Sequence, residues 1–472
     1  MIDPHHISAL QQMVEAKGAT TAPADLEPFV TEWRDKFTGQ TPLMLSPKTT
    51  AEAAAILSYC NQHKIPIVPQ GGNTGLVGGG IPGLQNAQEI LLSTRRMNGK
   101  PVVNAAGFTM VAEAGCTVSA MQEAAANQNK LFGLSLASEG SCTAGGITAT
   151  NAGGVHVIRY GTTRAMVLGV EAILPDGTII DELSGLRKDN TGYPISQLLI
   201  GAEGTLGLIT KVCFRLFPPE LSRATAWLAV PTPQAALKLL GKAREVSEDQ
   251  VSVFELMDRS ALEFAYQHIP GTRDPLTDVS PWYILLETAS SAQSSDVAQR
   301  MQSLLEAALS DGLITDGAVA QSLDQRILFW RNRESISEAQ KLEGGSIKHD
   351  VSVPLGEIAA FMKSATAALL KSFPGVRVTP FGHLGDGNLH FNVMQPKDAD
   401  KTAFLDHWEA MNRLVHDQVI AHGGSISAEH GIGVLKKSEL LRTKPAAEIA
   451  AMKAIKKAFD PNQIMNPRCL FD

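Results

Sequence analysis

Hydrophobic and polar positions follow two different rhythms along this chain, and the change falls at Pro218-Pro219. From about residue 45 to 217, short β-rich apolar runs alternate with glycine clusters, which predicts strands joined by loops. Ile65 to Pro69 reads as a strand entering a glycine loop, and Gly169 to Ile180 as a hairpin turning at Asp176-Gly177. Residues 1–40 carry helical spacing, clearest over Ile7 to Val14. Beyond the prolines, helical segments (Pro233 to Ser247, Ser294 to Ser310, Glu357 to Lys371) separate the apolar strands Ala226 to Val230 and Trp282 to Glu287. That order predicts an antiparallel sheet with helices packed on one side. Val376 to Thr379 and Leu389 to Val393 alternate in polarity about Asp386-Gly387-Asn388, a second hairpin. A last helix spans Ala446 to Phe459 and is stopped by Asp460-Pro461.

Composition changes this picture little. The 472 residues are enough for two or three domains, and 44% hydrophobic with 19% charged residues is an ordinary globular balance. A net charge of −7 offers nothing to nucleic acid. Cys60, Cys116, Cys142, Cys213 and Cys469 form no C-x-x-C pair, which argues against a disulfide framework and a cysteine zinc site. Met1 to His6 lack the basic and apolar regions of a signal peptide. No apolar run approaches the roughly 18 residues of a membrane span. A cytoplasmic enzyme is expected, and a peripheral membrane contact is compatible with the same features.

Two strings in the last quarter carry candidate chemistry. Gly382 to Asn392 contains His383 and His390, and the turn between them would bring both to the mouth of the hairpin. Period two sets His390 and Asn392 on one strand face, opposite Leu389, Phe391 and Val393. Ser427 to Gly433 adds Glu429 and His430. Two imidazoles and one carboxylate can bind Zn²⁺ with a position left open for substrate, and the neighbouring His430 is placed to move a proton. Mn²⁺, Co²⁺ or Fe²⁺ would suit the same donors. His5, His6, His63, His268, His407, His416 and His422 read as exposed helix or loop residues, and Trp408 as core.

Glycine is clustered at Pro69 to Gly80, Gly140 to Gly154 and Gly201 to Gly207. Such loops let backbone N–H groups approach a phosphate. None is G-x-G-x-x-G or G-x-x-x-x-G-K-[ST], so Rossmann and P-loop sites are excluded. Three clusters interleaved with Thr, Ser and Asn favour a bound dinucleotide. His156 and Arg159 follow the second cluster and are candidates to approach it.

These loops resemble the flavoprotein superfamily of vanillyl-alcohol oxidase and p-cresol methylhydroxylase, over nearly the whole chain. The resemblance implies an α+β fold: a two-subdomain FAD-binding domain over residues 1–220 (core about 40–217), a cap domain over 221–425 with an antiparallel sheet covered by helices, and a segment 426–472 returning to the first domain. It implies FAD contacts at Pro69, Gly71, Gly72, Asn73, Thr74, Gly75, Gly78 and Gly79 in the first loop. In the second they fall at Gly140, Ser141, Gly145, Gly146, Thr150, Asn151, Gly153 and Gly154. Glu203, Gly204, Ile209 and Asn466 complete the set. Asn73 stands near the position where some members attach FAD through histidine, so non-covalent FAD is implied.

The His/Glu strings resemble, more narrowly, the D-2-hydroxyglutarate branch of the FAD-linked D-2-hydroxyacid dehydrogenases. By that resemblance His383, His390 and Glu429 bind zinc and His430 is the catalytic base. Arg333 and Lys348 match substrate-carboxylate binders, Ser337 a hydroxyl-bearing contact, and Asn392 a polar neighbour of the metal. His349 departs from the family, which often has an aromatic residue there. The implied reaction is metal-assisted removal of the hydroxyl proton with hydride transfer to flavin. D-2-hydroxyglutarate is the favoured substrate, because two cations beyond the metal suit a dicarboxylate. D-lactate or glycolate oxidation on the same scaffold is the alternative. A non-redox flavin transferase related to the ether-lipid synthases, or a flavin-free zinc hydrolase, are the distant ones. The implied partners are the 2-hydroxyacid and an electron acceptor such as electron-transfer flavoprotein or a quinone, and the chain is compatible with a homodimer.

Overall fold

The computed structural model describes residues 2–84, 88–293 and 296–471. The chain divides into two compact units, one comprising Met1–Gly154, Tyr160–Pro219 and Glu429–Asp472, the other Val155–Arg159 and Glu220–Ala428.

The first unit contains two sheets among the described residues. β1 (Ala19–Thr20), β2 (Met44–Leu45), β3 (Ile67–Gln70) and β4 (Ile90–Ser93) form one, in the order β1-β2-β4-β3, with β3 and β4 parallel. β5 (Val102–Asn104), β6 (Thr109–Glu113), β7 (Val167–Ile173), β8 (Ile179–Asp181) and β9 (Leu208–Arg215) form the other, antiparallel in the order β5-β6-β9-β7-β8. The Asp176-Gly177 hairpin is present, pairing Ile173 with Ile179, and Gly177 takes φ +92°, which only glycine adopts easily. The helical expectation for residues 1–40 resolves into two short helices, Pro4–Gln11 and Pro23–Val30, each opened by proline in its first turn. The tail helix is Ala446–Phe459 as predicted; Ile455 and Phe459 pack against the core around Met110, Val170 and Phe214.

The second unit is built on one antiparallel sheet. β10 (Ser222–Val230), β11 (Val251–Asp258), β12 (Trp282–Ser290), β13 (Asp316–Val319), β14 (Ser346–Ile347), β15 (Asp350–Ser352), β16 (Arg377–His383) and β17 (Asn388–Met394) follow the order β13-β10-β12-β11-β16-β17-β14, with β15 also on β17. Helices cover both faces rather than one. Trp227, Met257, Tyr283, Leu285 and Phe381 pack with Ala261 and Phe329 of the helices Arg259–His268 and Leu323–Glu334. On the opposite face, Leu305 of the helix Val297–Ser310 lies beside Leu228, and Phe361 of Ile358–Ser372 beside Phe391 (ring centroids 5.2 Å apart). Burial of both faces explains why β10 and β12 read as continuous apolar runs instead of alternating. Of the helix expected from Ser294, residues Ser294 and Ser295 lie outside the described residues. Thr232 caps the helix Pro233–Val246 by accepting the Ala235 amide, and Pro233 fills the position where a missing N–H costs nothing.

Candidate functional site

β16 and β17 pair in register Phe381↔His390 and Thr379↔Asn392, which gives these residues one face of the sheet. The turn between the strands is a 3₁₀ turn, Leu384–Asp386, closed by Gly387 at φ +86°, where a Cβ would lie 2.5 Å from Val353 O. It brings the rings of His383 and His390 to 5.4 Å between centroids, edge to face. On β11, Glu255 is the cross-strand partner of His383, and on β15 Asp350 is the partner of His390.

Glu255 is the centre of this face. It is fully buried, its Oε1 lies 2.6 Å from His383 Nδ1, and its Oε2 accepts from Arg333 Nε (2.7 Å) and Nη2 (2.6 Å). Burial alone would raise this carboxyl, but the charges of His383 and Arg333 outweigh it and hold it at about 2. The Arg333 guanidinium also stacks 4.9 Å over the Phe381 ring. Asp350 Oδ1 is 3.9 Å from His390 Nδ1, and its carboxylate accepts from Asn388 Nδ2 at 2.9 Å. Burial pushes the Asp386 carboxyl up to about 6, against the charge of His383.

The residues matched to substrate binding divide. Lys348 Nζ reaches the carbonyl of exposed Ser337 at 3.4 Å, so these two are brought together. Asn392 is buried and donates to Gln340 Oε1 at 2.8 Å, while its Oδ1 has no partner. Arg333 is not an open fork, since two of its nitrogens are committed to Glu255. His349 is buried against Phe391 O (2.8 Å). His416 is buried as well, edge-on to His349, and not exposed as its sequence context suggested. Arg159 donates to the carbonyls of Gln250 and Ala289 within its own unit. Trp408 is half-buried rather than core.

In the first unit the three glycine loops converge. A Cβ at Gly71 would collide with Thr143 Oγ1 and one at Gly72 with Ser141 O, so the first two loops touch only because these positions are glycine. Glu203 N donates to Ala149 O (2.8 Å), and a Cβ on Gly204 would press on Pro69, which brings in the third loop. Gly154 packs on Ser135 and Gly145 on Ala114. Gly153 and Thr74 are half-buried, and Gly78 takes φ +73°. Gly75 and Gly140 face open space, and Ser141 is exposed at the rim. Thr150 Oγ1 bonds back to Gly146 O, and Asn151, at φ +49°, accepts the Arg164 amide. Asn73 spends its amide on Pro28 O and Thr31 O. The Ile209 side chain is buried in the core beneath β9. Asn466 ties the arrangement together: its Nδ2 donates to Gly79 O (3.0 Å) and Glu203 O (2.9 Å), and its buried Oδ1 has no partner. An orphaned acceptor amid glycine loops fits a dinucleotide that supplies the missing donor.

Glu429 and His430 open the segment that rejoins the first unit. Just before them, the amide of Ala428 donates to Asp350 O at 3.3 Å within the second unit. Just after them, Glu203 accepts the amides of Ile432 (2.8 Å) and Gly433 (2.7 Å). Burial raises the Glu203 carboxyl, and these amides oppose the shift. Val434 N to Val77 O (2.9 Å) and Leu470 N to Gly433 O (3.2 Å) fasten the same loop. His430 therefore stands on a loop held by the first and third glycine clusters. Sequence reasoning missed Glu255 and Asp350; the available signal was one glutamate inside the apolar run Val251–Asp258.

Residues 42–182 match the family described as FAD binding domain, and residues 220–470 the family described as FAD linked oxidases, C-terminal domain. The chain is 36% identical over 466 residues to a mitochondrial D-2-hydroxyglutarate dehydrogenase of Arabidopsis thaliana, covering 99% of this chain and 81% of that protein. It is 39% identical over 465 residues to a putative mitochondrial D-lactate dehydrogenase of Schizosaccharomyces pombe, covering 96% and 86%. Among solved structures, p-cresol methylhydroxylase with substrate bound superposes with a TM-score of 0.77 at 15% identity, covering 99% of this chain and 96% of that one, which shows the α+β flavoprotein fold.

Proposed function

This chain belongs to the family of FAD-linked oxidases, as an FAD-dependent D-2-hydroxyacid dehydrogenase, and we propose that it oxidises D-2-hydroxyglutarate with the help of zinc. The observation that carries the zinc reading is the imidazole pair His383 and His390, 5.4 Å apart on one sheet face with Nδ1 of His383 engaged by Glu255. His383, His390 and Glu429 would hold the metal, which supplies Lewis-acid polarisation of the substrate's C2 hydroxyl and C1 carboxylate when bound. FAD, held non-covalently by the glycine loops and Asn466, supplies the hydride acceptor. His430 takes the hydroxyl proton, imidazole being the side-chain type suited to proton transfer near neutral pH. Lys348 attracts the distal carboxylate, and Asn392 lends a buried acceptor to the same face. Arg333 contributes through the part of its fork that Glu255 leaves over. Five buried, unpaired thiols suit a reducing compartment such as the cytoplasm, and among the described residues no helix is long and apolar enough to cross a membrane.

One observation keeps D-lactate as a second reading. Two nitrogens of Arg333 are engaged by Glu255, so this arginine offers less to a second carboxylate than an open fork would. Anaerobic bleaching of the bound flavin across D- and L-hydroxyacids tests both. We expect D-2-hydroxyglutarate to bleach it fastest, with L-acids inert. Bleaching by L-acids, or by none, contradicts the assignment. Lys348→Ala should raise KM for D-2-hydroxyglutarate at least about tenfold more than KM for D-lactate; equal effects would favour the shorter acid.

A further inference from the structure

We propose that Glu255 is a positioning residue that sets, through its two carboxylate oxygens, both the metal-binding tautomer of His383 and the orientation of Arg333. The proposal rests on the zinc reading above. Antiparallel pairing places Glu255 directly opposite His383, so the 2.6 Å contact to Nδ1 is built into the strand register. A carboxylate at Nδ1 keeps the proton on that nitrogen. It thereby turns the lone pair of Nε2 outward and raises its basicity, the arrangement by which outer partners orient metal-bound histidines. The second oxygen grips Arg333 at 2.7 and 2.6 Å, with Phe381 packed against the guanidinium. Movement of Glu255 would therefore disturb the proposed metal ligand His383 and the guanidinium of Arg333 together.

The sheet supplies its own control. Glu287, on the neighbouring strand and the same face, is equally buried and is satisfied by Arg326 Nε (2.6 Å), Trp330 Nε1 (2.9 Å) and Thr225 Oγ1 (2.7 Å). The bonds described for it include no histidine. A structural role is common to both glutamates, and a positioning role belongs to Glu255 alone.

Zinc affinity of the purified, FAD-loaded full chain, measured by competition with a chromophoric chelator, separates these roles. Glu255→Gln should weaken zinc binding by about 10–100-fold while flavin stoichiometry stays at the wild-type level. Glu255→Asp should recover part of the loss. Glu287→Gln should lower the unfolding midpoint and leave zinc affinity within twofold of wild type. Should Glu255→Gln fail to fold, the double variant Glu255→Gln/Arg333→Met removes both buried charges and is compared with Arg333→Met. Equal zinc affinity with and without Glu255 in whichever pair folds overturns the proposal, as does an equal loss in Glu287→Gln. A wild-type chain that takes up no zinc defeats the zinc reading itself, and that result is separate from a wild type that binds zinc with or without Glu255.

Discussion

A carboxylate sealed inside an apolar strand is costly unless charge or hydrogen bonds offset it, and Glu255 has both. Because its folded pKa, at about 2, lies below the ordinary carboxylate value, the stability it contributes is present above about pH 4.5 and is lost as pH falls toward 2. In metal-stripped protein, acid unfolding followed by circular dichroism should therefore begin at a higher pH for Arg333→Met than for wild type, since the Met variant loses one of the charges that depress the pKa. An unchanged acid midpoint would mean that the pair does not set it. His430 makes the opposite kind of prediction, chemical rather than structural. His430→Asn should lower kcat by at least about 100-fold with flavin still bound, because general base catalysis typically supplies that much. Turnover near wild type would remove its role. The histidines and Glu429 were legible in the sequence as candidates because they stand in short strings rich in glycine. Glu255 was not, because its partner lies 128 residues away and only strand pairing joins them.

At the scale of elements, the helix Leu323–Glu334 is polar enough to pass for an exposed helix, yet it lies on the sheet. Arg326, Trp330 and Arg333 recur at i, i+4 and i+7, one helical face, and all three bond buried glutamates of β11 and β12. Hydrophobic periodicity cannot find such a face, because two of the three groups that dock it are charged and the third docks through its indole N–H. The alternating polarity about Asp386-Gly387-Asn388 did predict the hairpin β16–β17, and the strands are where it placed them. The docking face predicts an order of costs. Trp330→Phe removes one hydrogen bond to an ionised acceptor and should cost about 1–3 kcal/mol. Arg326→Met leaves Glu287 short of its closest charge partner and should cost about 3–5 kcal/mol, less some allowance for the arginine's partial exposure. Urea unfolding of both variants measures the order, and a Trp330→Phe cost exceeding that of Arg326→Met would show that Glu287 is held by the indole instead.

For the whole molecule, the change of rhythm at Pro218-Pro219 marked where strand-and-loop texture gives way to alternating helices and strands. The destination of the tail was not encoded that way: its spacing predicts a helix and is silent on where it docks. The tail's place is fixed by pairings such as Asn466 to Gly79 and to Glu203, 387 and 263 residues apart. These long closures put the glycine loops, Asn466 and the His430 loop in one compact unit, while His383, His390 and Glu255 belong to the other. Each unit has an apolar core of its own. Removal of the proposed metal would break none of the hydrogen bonds described for the glycine loops. Dialysis against a strong chelator should stop hydroxyacid oxidation while the visible flavin spectrum and flavin stoichiometry remain unchanged, and added Zn²⁺ should restore turnover. Full activity in chelator would exclude the metal. Flavin released along with the metal would mean that the dinucleotide loops depend on the metal.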